Sequence, residues 1–325
     1  MENRTSRKTT IELIKNRSDI GAGTRGADLG IDAIEIAAIN QGSDFFIRHP
    51  HRDVPTRNEV IYEKERSPYA KHIKEVYEQC RQLSSVVAAS LHQGNFPLIF
   101  SGDHSSAIGT ITGIKAAFPE KRLGVIWIDA HADIHSPYTT PSGNIHGMPL
   151  AAVLQEDNRA CELNEIESET AEYWSKLKSL GDHGTKLQPS DLIYFGVRDT
   201  EEPEDAIIER LHIKNFKVEE VRRIGITTSV VQTKNLLQDC DIVYVSFDVD
   251  SMDSEMTSEG TGTPVPRGFA ATEVSELLER LVSSLPIVAL ETVEVNPLLD
   301  TKGNKMAEIA FGILDRISPI IEHKT

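Results

Sequence analysis

The sequence predicts an α/β protein, a three-layer α/β/α sandwich in which a parallel sheet is covered by helices on both faces. Five short runs are almost continuously apolar and β-rich, as strands buried on both faces must be. Between them lie stretches whose apolar residues recur at helical spacing, which gives the alternation of strand and helix that builds such a sandwich. No Pro/Ser/Gly-rich linker divides the 325 residues, so 1–325 reads as a single domain.

The elements follow in order. The N-terminal "MENRTSRKTTIELIKNRSD" is basic and polar without an uninterrupted apolar stretch, so a cleaved signal peptide is not expected there. "GAGTRG", residues 21–26, matches the dinucleotide fingerprint GxGxxG, but "KNRSD" stands where an apolar strand must precede it. A nucleotide cofactor is therefore not expected. A helix is written by Ile73, Val76, Tyr77, Cys80, Leu83, Val87 and Leu91, and a strand by "FPLIF" (96–100). Strands follow at "LGVIWI" (123–128), "LIYFGV" (192–197), "DIVYVSF" (241–247) and "PIVALETVEV" (286–295). Two more helices use Val274, Leu277, Leu278 and Leu281, then Met306, Ile309, Ile313, Leu314 and Ile317. The stretch 156–190 is polar with a helical pattern and reads as a surface excursion.

Composition narrows the function. With 34 basic against 50 acidic residues and a net charge of −16, the chain is a poor partner for nucleic acid or an anionic membrane. No window approaches the roughly 18 apolar residues of a spanning helix. Cys80, Cys161 and Cys240 are odd in number and widely spaced, which suits neither a disulfide framework nor a CxxC zinc site. The cytoplasm is the expected compartment.

Open α/β sheets bind ligands at the carboxyl edge of their strands, and four of the five runs end in reactive residues. The first leads into "SGDHS" and His104, the second into Asp129, His131 and Asp133, the fourth into Asp248 and Asp250, and the last reaches Glu294. If the chain stays extended, Asp129, His131 and Asp133 project to one face, as do Asp248 and Asp250. A lone DxD at a strand end is usually a turn or a helix cap. Four carboxylates and two imidazoles converging on one edge are another matter, because they repel unless a cation neutralises them. Oxygen-rich ligation with some imidazole and no thiolate favours Mn²⁺ over a structural zinc, and six ligands suit a pair of ions.

Taken in order, "SGDHS", "DAHAD", "SFDVDSMD", "GTGTP" and "EVNP" resemble the arginase or ureohydrolase family over most of the chain. The resemblance implies the arginase fold, an eight-stranded parallel sheet flanked by helices, and two Mn²⁺ per subunit. It implies that His104, Asp129, Asp133 and Asp248 hold one ion and Asp129, His131, Asp248 and Asp250 the other, with Asp129 and Asp248 bridging. Two ions sharing a water lower its pKa, so that hydroxide can attack a guanidinium carbon. Glu294 would hold that guanidinium, and His146 in "SGNIHG" would shuttle the proton that the leaving amine needs.

The same resemblance points to L-arginine, cleaved to L-ornithine and urea. Arginases carry a TxSGNxHG pattern that holds the α-carboxylate and α-amino groups, matched here by Thr140, Ser142 and Asn144. In "GVRDTEEPE", Asp199, Glu201 and Glu204 stand in the motif that reads the α-amino end, with Glu201 where aspartate is usual, and Thr263 of "GTGTP" joins the substrate wall. His135 departs most, since asparagine usually contacts the carboxylate there. These departures keep open agmatine, guanidinobutyrate or another guanidino acid as substrate. A two-metal phosphoesterase would need several cations to clamp phosphate, yet the motif loops offer only Arg198 and Arg267. The resemblance also implies a homotrimer or homohexamer.

Overall fold

The computed structural model describes residues 8–182 and 184–324, and its spine is one sheet of eight parallel strands. These are β1 (Ile11–Asn16), β2 (His51–Asp53), β3 (Phe96–Ser101), β4 (Leu123–Ile128), β5 (Leu192–Phe195), β6 (Lys214–Phe216), β7 (Ile242–Asp248) and β8 (Ile287–Val293). They lie in the order β2-β1-β3-β8-β7-β4-β5-β6. The helices are α1 (Gly30–Asn40), α2 (Phe45–Arg48), α3 (Ile73–His92), α4 (Ala107–Ala117), α5 (Pro149–Leu154), α6 (Ser168–Lys178), α7 (Glu202–Leu211), α8 (Val218–Ile224), α9 (Ile226–Leu236), α10 (Ala271–Ser284) and α11 (Lys305–Glu322).

The three layers follow from strand alternation. In β4, Ile126 and Ile128 face a core shared with Ile34 of α1, Leu277 and Leu281 of α10 and Phe311 and Leu314 of α11. Val125 and Trp127 point the other way, into a core with Val76 and Leu83 of α3 and Ile108 and Ile111 of α4. Both faces of the strand are buried, which is why it reads as an unbroken apolar run. All five expected strands and the three expected helices are present.

Three of the eight strands, β1, β2 and β6, are not marked by any of the five apolar runs. All of β1 is buried, yet its "IELIKN" carries two charges. Glu12 accepts from Arg52 Nε at 2.5 Å and Lys15 pairs with Glu35 at 2.7 Å. Paired charges of this kind are tolerated inside, and they hide a strand from a hydrophobicity reading. β2 and β6 are three-residue edge strands, too short to leave a periodic signal.

Within 156–190, α6 buries Trp174 and Leu177 against the α3 side of the sheet. The Trp174 indole N–H donates to Asp157 at 2.7 Å. Among the described residues, no helix is long and apolar enough to cross a membrane.

Candidate active site

The four central neighbours β3, β8, β7 and β4 end on the same edge and deliver the reactive residues together. β3 runs through Asp103 into His104; β4 into Asp129, His131 and Asp133; β7 into Asp248 and Asp250; β8 into Glu294. Strand alternation is not what aims them. β4 stops at Ile128, and Asp250 lies in a one-turn 3₁₀ helix beyond β7. Each of the two segments, after β4 and at the end of β7, is instead a local turn in which the first aspartate accepts the N–H two residues on. Asp129 Oδ1 takes the His131 N–H at 2.7 Å, and Asp248 Oδ1 takes the Asp250 N–H at 2.8 Å. Asp250 Oδ1 accepts from Ala130 N at 3.1 Å and so ties the two turns together. One oxygen of each carboxylate is thus fixed by backbone, and the other turns inward. Asp133 and Glu294 reach their positions from left-handed backbone, at φ 50° and 66°, a conformation that costs a non-glycine residue energy and recurs at functional sites.

The inward atoms form two groups that share Asp129: His104, Asp129 and Asp248, and Asp129, His131 and Asp250. His104 Nδ1 lies 3.1 Å from Asp129 Oδ2, 3.0 Å from Asp133 Oδ2 and 3.3 Å from Asp248 Oδ2. His131 Nδ1 lies 3.0 Å from Asp250 Oδ2. The far nitrogen of His104 meets Ser246 Oγ at 2.7 Å while its ring stacks on Trp127 at 3.9 Å, so Nδ1 is held facing the carboxylates. His104 Nδ1 and Asp129 Oδ2 are buried and neither makes a hydrogen bond.

Burial, with repulsion from neighbouring carboxylates, pushes Asp133 up to about 7 and raises Asp248 and Asp250 as well. Burial would raise Asp129 too, but His104 and His131 hold it below the ordinary carboxylate range. Carboxylate oxygens and imidazole nitrogens gathered this closely in a buried cluster fit divalent cations in place of shared protons, and a donor set of oxygen with imidazole and no thiolate fits Mn²⁺.

Above this floor opens a cleft of about 290 Å³. It is lined by every site residue named from the sequence except His104 and Asp129, which lie beneath it, and by Pro141, Gly147 and Thr200, which sequence reasoning passed over. Glu294 Oε1 accepts the His104 N–H at 2.9 Å and pairs with His146 Nδ1 at 3.0 Å. Burial would lower the His146 pKa, but the Glu294 carboxylate raises it to about 9. Thr263 donates to Asp250 Oδ2 at 3.1 Å.

Among the described residues, no Lys or Arg lines the cleft. Arg198 spends its guanidinium on the carbonyls of Gly196, Asp250, Val265 and Pro266 at 2.9–3.1 Å, a structural use that leaves it unavailable to a phosphate.

At the outer end the two departures meet: His135 Nε2 lies 2.6 Å from Glu201 Oε2. A carboxylate only accepts, so Nε2 carries a proton. His135 Nδ1 is 3.1 Å from Thr139 Oγ1, and both ring nitrogens are therefore engaged within the protein. Glu204 accepts from Ile134 N and Glu201 N at 3.3 and 3.2 Å, bracing the metal loop against the start of α7.

The profile of the Arginase family matches residues 10–318. The chain belongs to the arginase family. An arginase of Bacillus caldovelox is 33% identical over 94% of this chain and 96% of its own, and that of Bacillus subtilis strain 168 is 33% identical over 95% and 97%. The native structure of the Bacillus caldovelox arginase superposes with a TM-score of 0.81 at 32% identity, covering 95% of this chain and 98% of that one. As a member of the arginase family the protein is a hydrolase of the ureohydrolase type. The eight-stranded parallel sheet is the one expected of that family, and the family's metal dependence accords with the two groups around Asp129.

Proposed function

We propose that the protein hydrolyses L-arginine to L-ornithine and urea with two Mn²⁺ per subunit. One observation carries the substrate class: a cleft with seven carboxylates and, among the described residues, no Lys or Arg on its walls leads to a cluster suited to divalent cations. Such a cleft suits a cationic guanidinium. His104, Asp129, Asp133 and Asp248 would hold one ion, and Asp129, His131, Asp248 and Asp250 the other. Bound there, the pair supplies Lewis-acid activation of water near neutral pH.

The chain's own residues do the rest. Glu294 Oε1 is occupied by His104 N–H and His146, which leaves Oε2 to accept N–H bonds from the guanidinium and aim its carbon at the floor. Cleavage breaks one C–N bond, and the departing amine takes up a proton. His146 is cationic at neutral pH and holds a proton at Nδ1, so it can supply it. Thr140, Ser142 and Asn144 would take the α-carboxylate, and Asp199, Glu201 and Glu204 the α-ammonium.

A second reading is favoured by His135. With both ring nitrogens engaged it offers the α-carboxylate no free donor, so a guanidine bearing only an amine, such as agmatine, is the alternative. The test is urea release by the Mn²⁺-loaded chain from L-arginine, agmatine and 4-guanidinobutyrate; release from agmatine without release from L-arginine defeats the first reading.

Family membership also supports a homotrimer or homohexamer, and exposed Leu29, Ile36, Ile39 and Ile47 near α1 and α2 supply apolar surface for it. The free thiols Cys80, Cys161 and Cys240 suit the reducing cytoplasm. Sedimentation of the purified chain as a monomer would defeat the assembly.

A further inference from the structure

Lys71 lies outside every motif that marks the site, in the segment leading to α3, yet two of its groups grip the cleft wall. Its backbone N–H donates to the Gly143 carbonyl at 2.8 Å, and its ammonium donates to Asn144 Oδ1 at 3.0 Å. Asn144 lines the cleft. An ammonium has donors and no acceptor, so the amide must turn its oxygen toward Lys71 and its NH₂ the opposite way.

Two glycines make room for this arrangement. Gly143 has φ +74°, and a Cβ there would lie 1.9 Å from the Pro68 carbonyl oxygen, so only glycine lets the 66–71 segment close on the wall. On the other side a Cβ at Gly23 would come within 2.3 Å of Asn144 Nδ2. The amide is thus clamped between a cation behind its oxygen and bare backbone beside its nitrogen.

We propose that Lys71 is a positioning residue that fixes the Asn144 amide with its NH₂ as the donor to a substrate carboxylate, and so sets the preference for guanidines that carry one. The proposal rests on the reading of Asn144 as a carboxylate-binding group. It gives Lys71 no role toward the guanidinium, which the Glu294 end receives. A substrate without a carboxylate never uses the donor that Lys71 orients.

The test uses the full Mn²⁺-loaded chain as wild type, Lys71→Met, Lys71→Arg, Asn144→Ala and the Lys71→Met/Asn144→Ala double variant. KM and kcat are measured for L-arginine. The affinity for agmatine is read as KM or, if agmatine is not turned over, as Ki against L-arginine. Lys71→Met should raise KM for L-arginine about 5- to 20-fold, the loss of one oriented hydrogen bond to a charged group, with kcat and agmatine affinity within about twofold of wild type. Lys71→Arg, which can still donate to Oδ1, should recover most of the loss. In the Asn144→Ala background Lys71→Met should add almost nothing, because the two act through one contact. An unchanged KM for L-arginine, an equal loss toward agmatine, or a full effect in the Asn144→Ala background each overturns the proposal. No urea from wild type with L-arginine overturns instead the substrate reading beneath it.

Discussion

His146 is the residue whose behaviour the site geometry constrains most sharply. Burial disfavours its charge, but Glu294 at 3.0 Å raises its pKa to about 9. A group raised in this way is protonated below its shifted value and loses the proton as pH climbs through it. If His146 supplies the proton to the leaving amine, kcat/KM, which reports the free enzyme, should fall above about pH 9. A His146→Asn variant should be slower by about 10²- to 10⁴-fold, the span of general acid catalysis, and should lack that descending limb. A profile with the same limb in the variant would assign it elsewhere. At His135 the expectation concerns selectivity. Its Nε2–H is spent on Glu201; an asparagine there cannot reach as far and instead frees a short amide donor for a carboxylate. His135→Asn should therefore raise the ratio of kcat/KM for L-arginine over agmatine by about fivefold or more, and an unchanged ratio would remove His135 from any account of specificity.

Among the elements, what the sequence revealed depended on how each one meets its surroundings. β3, β4, β5, β7 and β8 are apolar because both their faces are covered, and they were legible for that reason. β1 escaped notice because Glu12 and Lys15 are buried with partners, Arg52 and Glu35, that lie 40 and 20 positions away in the chain; long-range ion pairing leaves no local signature. The segments 129–133 and 248–250 were legible as chemistry but misread as geometry. Extended backbone was expected to align Asp129, His131 and Asp133, whereas Asx turns after the strand ends do the aiming. The turn and the cation-facing arrangement are one structure, since the hydrogen bond that makes the turn fixes one oxygen and presents the other. Lys71 and Ser246 were beyond reach because each acts on a site residue from a different part of the chain. In α6, polar outside, Trp174 is fully buried and hydrogen-bonded to Asp157. Trp174→Ala should destabilise the fold by about 3–5 kcal/mol, read from denaturant midpoints; a loss below 1 kcal/mol would mean that α6 is dispensable to the core.

For the molecule as a whole, the decisive fact is that four adjacent strands of one sheet converge on a buried cluster of like charges. β3, β8, β7 and β4 are held together along their length by hydrogen bonds and two apolar cores, but at their carboxyl ends Asp129, Asp133, Asp248 and Asp250 crowd two imidazoles. Two imidazoles can offset at most two of the four carboxylates, and burying the remaining charge without counter-charge is expensive, so the sheet's active edge is a place where the fold opposes its own stability unless a metal cation is bound. A ligand that binds the folded chain at about 100 times its Kd adds roughly 2.7 kcal/mol, and for a chain of this size each kcal/mol moves Tm by about 2 °C. Chelation should therefore lower Tm by about 5 °C or more, and added Mn²⁺ should restore it. The loss should shrink in Asp129→Asn, because that carboxylate is shared by both groups and its removal relieves repulsion in the metal-free state while weakening metal binding in the loaded one. Calorimetry on both proteins, with and without chelator, separates the two effects: a wild-type Tm indifferent to chelation would mean that protons alone neutralise the cluster, and an Asp129→Asn chelation loss as large as that of wild type would mean that Asp129 does not hold the ions.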